Sequence, residues 1–233
     1  MRTMASPTEA AAPTGYPDRN IRTRIKICGV SREIDVEAAV MAGADAIGLV
    51  FYPKSPRHVS LARATELARA VPAFVTPVAL FVNPMAADVG AVCAAIPQVL
   101  LQFHGDETPA FCASFARPYV RAIRVSTGAD LLDLARQHSH AQALLFDAEV
   151  EGFGGGGKVF DWSLIPSDVP RPVVLSGGLH AGNVIQGIQA VRPWAVDVSS
   201  GVESSRGIKD AEKIRQFCEA VREADARRAS AEA

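Results

Sequence analysis

Arg24-Ile25-Lys26-Ile27-Cys28-Gly29 reads as a strand with two unlike faces. Side chains on a strand alternate between its two sides. Ile25 and Ile27 therefore share one face, and Lys26 and Cys28 share the other. The first face can pack under helices. The second presents a cation and a thiol to whatever lies across from it. Gly29 lets the backbone turn sharply or lets a ligand come close.

The same kind of run recurs along the chain. Apolar or β-branched runs lie at Arg24–Cys28, Ala46–Phe51, Thr76–Val82, Val99–Phe103, Val120–Val125, Ala143–Asp147, Pro172–Ser176 and Ala195–Ser199. Helical patterns fall between and after them, near Arg32–Ala42, Leu61–Ala70, Ala86–Ile96, Pro109–Ala116, Asp130–Gln137, Trp162–Ile165, Ala181–Val191 and Asp210–Ala226. Strands that alternate with helices imply parallel pairing through crossover helices. Eight unbroken units are the count of a (β/α)8 TIM barrel. A doubly wound open sheet is the runner-up, but no G-x-G-x-x-G follows the first strand. Residues 1–20 are rich in Ala, Pro and Thr and are expected to form a disordered tail. The barrel is expected over 21–226, with a C-terminal tail at 227–233.

Composition removes several function classes. A net charge of −1 gives no basic field for nucleic acid or an anionic membrane surface. No stretch is long and apolar enough for a signal peptide or a membrane span. Four cysteines occur without a C-x-x-C pair or a Cys/His cluster at zinc spacing. That pattern suits reduced thiols in a cytoplasmic protein. Cys93, Cys112 and Cys218 lie in helical patterns and read as buried spectators.

Barrel chemistry sits at the carboxyl ends of the strands. Polar groups collect there: Cys28, Gln102 with His104, Arg124, Asp147, and Asp197 ahead of Ser199-Ser200-Gly201. Three glycine-containing segments follow strands 6, 7 and 8, at Phe153–Lys158, Ser176–Leu179 and Ser199–Val202. Glycines let backbone N–H groups converge on an anion, and barrels often hold a phosphate after strands 7 and 8 against a short extra helix. Val202–Arg206 is expected to be that helix. Gly155, Gly156, Gly177, Gly178, Ser199, Ser200 and Gly201 are the phosphate candidates. Lys54 and Arg57, in the stiff loop Phe51–His58, offer a second anion site.

Taken together, these segments resemble the phosphoribosylanthranilate isomerases of tryptophan biosynthesis. The resemblance rests on Lys26–Gly29, Ala42–Gly48, Phe51–Arg57, Leu80–Asn83, Leu101–Gly105, Asp147, Gly154–Lys158, Phe160–Trp162, Leu175–Leu179 and Val196–Glu203, in the family's order. It covers the chain from about 22 to 222. The departures are Gly156, where the family commonly has Ser or Thr, and Phe103, where Leu is common.

The resemblance implies a TIM barrel and an Amadori rearrangement of N-(5-phosphoribosyl)anthranilate, with no metal, no redox step and no cofactor. It implies Asp147 as general acid, Cys28 as general base and Arg57 as the holder of the anthranilate carboxylate. Lys26, His104 and Asp197 are expected to face the substrate. An acid working near neutral pH needs a raised carboxyl pKa, and a thiolate base needs a lowered one. Lys26, two residues before Cys28 on the same face, is the expected cation for the second task. The expected partner is the small-molecule substrate, with the chain a monomer or a homodimer. Two rivals stand beside this reading. One is another phosphate-binding barrel isomerase. The other is a non-catalytic phosphate binder, which would need neither Cys28 nor Asp147.

Overall fold

The computed structural model describes residues 22–126, 130–148 and 160–231. The expected tail at 1–20, the Phe153–Lys158 segment with Gly155 and Gly156, and residues 232–233 lie outside them. The elements run β1 (Arg24–Cys28), α1 (Glu33–Met41), β2 (Ala46–Val50), α2 (Leu61–Ala70), β3 (Thr76–Phe81), α3 (Ala86–Ala95), β4 (Leu100–Phe103), α4 (Pro109–Ala113), β5 (Tyr119–Val125), α5 (Leu131–Gln137) and β6 (Ala143–Ala148). After a 3-10 turn at Trp162–Leu164 come β7 (Val173–Leu175), α6 (Val184–Val191), β8 (Ala195–Val198), β9 (Glu203–Ser205), β10 (Ile208–Lys209) and α7 (Ala211–Ala231).

The strands β1 to β8 pair in sequence order and in parallel, and β8 returns to β1 to close the barrel. Alternation sorts their side chains as expected. Ile25, Ile27, Ile47, Leu49, Leu101 and Phe103 point outward into the apolar layer under the helices. Cys28, Val50, Leu80 and Val82 form a separate cluster inside the mouth, and Val120, Ala122, Ala143, Leu145 and Val174 fill the lower interior. Those lower residues are small, and beneath them a cavity of about 350 Å³ remains, bordered by Lys26, Ala46, Thr76, Gln102 and Trp194.

Local chemistry sets where the helices start and stop. Ser60 and Thr108 accept the Arg63 and Phe111 N–H groups and so cap α2 and α4. The helix expected from Ala181 begins only at Val184. His180 and Asn183 tie their own turn together first: His180 N–H donates to Asn183 Oδ1 at 2.8 Å, and Asn183 Nδ2 donates to Gly178 O at 3.0 Å. The helix expected over Trp162–Ile165 is a single 3-10 turn, because Pro166 disfavours helical backbone at Ile165. The helix expected over Pro109–Ala116 ends at Ala113, and Ala116 lies in the left-handed region at φ 49°. At the other end α7 runs to Ala231, so residues 227–231 are helix rather than tail.

One expected element is replaced outright. Val202–Arg206 is not a helix. A 3-10 turn at Ser200–Val202 leads into the antiparallel hairpin of β9 and β10. Gly207, at φ 86°, makes the reversal, and its N–H donates to Glu203 Oε2 at 3.2 Å.

Candidate active site

Cys28 ends β1 and Asp147 lies near the end of β6, so β7 and β8 separate them on the shorter way round the ring. Both are buried. Gly48 sits beside Cys28 in register, where an added Cβ would lie 2.8 Å from its Sγ. Glycine on β2 thus makes the space that the thiol occupies.

The expected cation is present but does not settle the thiol. Lys26 Nζ donates to Asp197 Oδ1 at 2.7 Å, and both side chains are buried. Burial pushes the Lys26 ammonium down, but Asp197 and the neighbouring Cys28 outweigh it and hold it above its ordinary value. For Cys28 burial is the largest influence, and it raises the thiol pKa. Lys26 and Lys209 pull it down, Asp197 pushes it further up, and the balance stays above the ordinary value. Lys26 thus acts on Cys28 in the expected direction, without bringing the thiol pKa below its ordinary value. Lys26 is the largest influence favouring the thiolate, but desolvation is larger still.

Asp147 is held by two bonds. Its Oδ1 accepts the Ala148 N–H at 3.0 Å, and its Oδ2 lies 3.0 Å from His104 Nε2. Gln102 Nε2 lies 3.2 Å from the other ring nitrogen, His104 Nδ1. His104 is thus the carboxyl group's immediate partner. Asp197, beyond its bond to Lys26, accepts from Ser176 Oγ at 3.4 Å.

The loops after β7 and β8 run side by side between the two groups. Gly177 and Gly178 both have positive φ, 85° and 63°. A Cβ on Gly177 would fall 2.6 Å from the Ala148 nitrogen, and one on Gly201 would fall 1.9 Å from Leu179 O. Backbone approaches backbone at both places, which only glycine allows. The N–H groups of Gly177, Gly178, Ser200 and Gly201 donate no hydrogen bond among the described residues. Ser199 Oγ donates to Cys28 O at 3.0 Å and so ties the second loop to β1.

The loop after β2 separates its two cations. Lys54 is exposed, whereas Arg57 is buried. Arg57 Nε and Nη2 donate to Glu203 Oε1 and Oε2 at 2.7 and 2.9 Å. Lys209 Nζ donates to Glu203 Oε1 and Ser199 O, both at 2.9 Å. Burial alone would raise the Glu203 pKa. Arg57 and Lys209 reverse that and hold the carboxyl below its ordinary value. Glu203, Lys209 and Gly48 thus belong to the site and were not singled out as site residues from the sequence. Gln102 was visible there as the residue sharing a face with His104. Among the described residues no group of three His, Cys, Asp or Glu is placed to hold a metal ion, and no helix is long and apolar enough to cross a membrane.

Residues 25–220 match the family described as N-(5'phosphoribosyl)anthranilate (PRA) isomerase. The chain belongs to this family.

Relatives named N-(5'-phosphoribosyl)anthranilate isomerase agree with that placement. The Leptothrix cholodnii protein is 70% identical over 206 residues, covering 88% of this chain and 94% of its own. The Methylibium petroleiphilum protein is 67% identical over 212 residues, covering 91% and 100%. The crystal structure of phosphoribosyl anthranilate isomerase from Thermotoga maritima superposes with a TM-score of 0.80 at 38% identity, covering 86% of this chain and 99% of that one. A family structure in complex with reduced 1-(o-carboxyphenylamino)-1-deoxyribulose 5-phosphate gives a TM-score of 0.77 at 36% identity, with the same coverage. The barrel and the family expected from the sequence are both borne out.

Proposed function

We infer that the chain is a phosphoribosylanthranilate isomerase of tryptophan biosynthesis, carrying out an aldose–ketose isomerisation. One observation carries the roles within the site. A buried carboxyl group and a buried thiol stand at the same mouth, with two glycine loops between them whose N–H groups donate to no described residue. That order suits a substrate whose phosphate sits on the loops while its reacting carbons reach the two groups.

In this reading Asp147 gives its proton to the furanose ring oxygen as the bond from C1 to that oxygen breaks. An iminium ion is left at C1. The thiolate of Cys28 then takes the C2 proton and an enaminol forms. The C2 hydroxyl loses its proton, C1 gains one, and the ketone results. The thiol is raised by burial, so its base form is the minor one in the ligand-free site. Lys26 and Lys209 are the groups that favour the thiolate. Gly177, Gly178, Ser199, Ser200 and Gly201 supply the phosphate cradle, and Gly155 and Gly156, outside the described residues, are proposed to complete it. Arg57 keeps its Nη1 edge for the anthranilate carboxylate while Glu203 fixes the other edge. Two anionic handles then orient the carbons that react.

Fluorescence loss from freshly made phosphoribosylanthranilate tests the roles. Cys28→Ala and Asp147→Ala are each expected to lower kcat on the order of 10²- to 10⁴-fold, the usual worth of a positioned acid or base. Normal turnover in the double variant would reject the mechanism.

Assembly follows from the opposite end of the barrel. One Thermotoga maritima structure is of monomers generated from a dimeric phosphoribosylanthranilate isomerase. Here Phe74, in the turn before β3, is fully exposed and held at φ 70°. These two facts support a homodimer that buries Phe74.

A further inference from the structure

Gln102 is fully buried inside the barrel, with its Nε2 on His104 Nδ1 at 3.2 Å. Its Oε1 has no hydrogen-bond partner among the described residues. His104 in turn reaches Asp147 Oδ2 through Nε2 at 3.0 Å. The other carboxyl oxygen already accepts the Ala148 N–H. Any proton that Asp147 stores therefore sits on Oδ2, facing the imidazole.

A neutral imidazole has one N–H and one bare nitrogen, so this chain of three groups has two directions. In the first, Gln102 Nε2 donates to Nδ1, the ring proton is on Nε2, and Asp147 accepts it as a carboxylate. In the second, the carboxamide is turned over. Oε1 then accepts from Nδ1–H, Nε2 is bare, and the Asp147 hydroxyl donates to it. Only the second direction stores the proton that ring opening consumes. The half-turn gives Oε1 a donor and moves the unpaired position to Nε2, so the two directions are set apart by where the Asp147 proton lies. The two directions differ by a half-turn of the terminal amide, a soft two-fold torsion. Gln102 borders the cavity of about 350 Å³ beneath the site, which leaves room on that side.

We propose that Gln102 is a positioning residue for the acid, whose carboxamide selects the His104 tautomer and so decides whether Asp147 holds the proton. The inference rests on Asp147 being the general acid. Gln102 acts through His104.

The test is nitrogen NMR of 15N-histidine-labelled protein saturated with reduced 1-(o-carboxyphenylamino)-1-deoxyribulose 5-phosphate, with His104 assigned from a His104→Asn spectrum. In the native chain the proton is expected on Nδ1. In Gln102→Leu it is expected to leave Nδ1, and kcat falls on the order of 10-fold or more while KM changes less than about threefold. A proton on Nε2 in the native complex overturns the inference and needs no folded variant. An unchanged tautomer and kcat in Gln102→Leu overturn it as well. Normal turnover by Gln102→Leu beside an inactive Asp147→Asn would reject the role of Gln102 and leave the acid in place. An active Asp147→Asn would remove the reading beneath both.

Discussion

A single hydrogen atom at position 48 decides where the Cys28 thiol can sit. Gly48 and Cys28 are register partners on β2 and β1, and a methyl group at Gly48 would lie 2.8 Å from Sγ and 2.9 Å from the Cys28 Cα. One of those contacts is to backbone, so a rotamer change cannot relieve it. Gly48→Ala is therefore expected to move the thiol. A displacement of about 1 Å in a positioned group can cost on the order of 10²-fold in rate. We expect kcat to fall by roughly that much, with KM nearly unchanged and a stability loss of about 1–3 kcal/mol from overpacking. Steady-state kinetics and urea unfolding check the two parts. Native kcat in Gly48→Ala would show that the thiol tolerates the shift. The neighbouring Lys26 shows how a charge can be close and still be outweighed. Its ammonium lies beside both Asp197 and Cys28, but desolvation of the thiol is the larger influence.

Elements were legible in the sequence where one periodicity ruled them. Two-residue alternation placed Ile25 and Ile27 outward and Lys26 and Cys28 inward, and it put Gln102 and His104 on one face. Strand ends were legible to within a residue or two, because apolar runs stop where the barrel stops. What the sequence hid were pairings between distant positions. Arg57 and Glu203 lie 146 residues apart, and no pattern in either segment announces that one holds the other. The hairpin at β9 and β10 was hidden for the same reason, since Glu203, which accepts the Gly207 N–H inside it, is also held by the distant Arg57. His138, just past α5, is another such case. Burial, helped by Arg121, lowers its pKa to about 4, from 6.5. Above about pH 6.5 the ring is neutral whether the chain is folded or not. As pH falls from there toward 4, the unfolded chain takes up a proton that the folded one refuses, so stability is lost across that window and levels off below it. His138→Leu removes the contribution. Its urea midpoint is expected to fall less between pH 7 and pH 4.5 than that of the native chain, and equal falls would show that His138 does not titrate this way.

At the scale of the whole molecule, the two ends of the barrel are built for different tasks. The carboxyl end gathers the thiol, the carboxyl group and the glycine loops. The amino end has small side chains, the cavity and an apolar surface. Phe74 stands in the turn that leads into β3, and Thr76, two residues on, borders that cavity. A bulky residue in the left-handed region is strained, and full exposure of its ring adds an apolar cost. Among the described residues no contact covers the ring. Met41, at the end of α1 and 81% exposed, adds apolar surface that a second copy can cover. The native chain is therefore expected to sediment as a dimer at micromolar concentration. Phe74→Asp would place a charge in the contact and weaken association at least about tenfold, the effect of roughly 1.4 kcal/mol. Activity per chain should survive the change, because the reacting groups are at the other end of the barrel. Analytical ultracentrifugation over a concentration series decides it. A native chain that stays monomeric, or a Phe74→Asp chain that dimerises as tightly as the native one, would place the contact elsewhere or remove it.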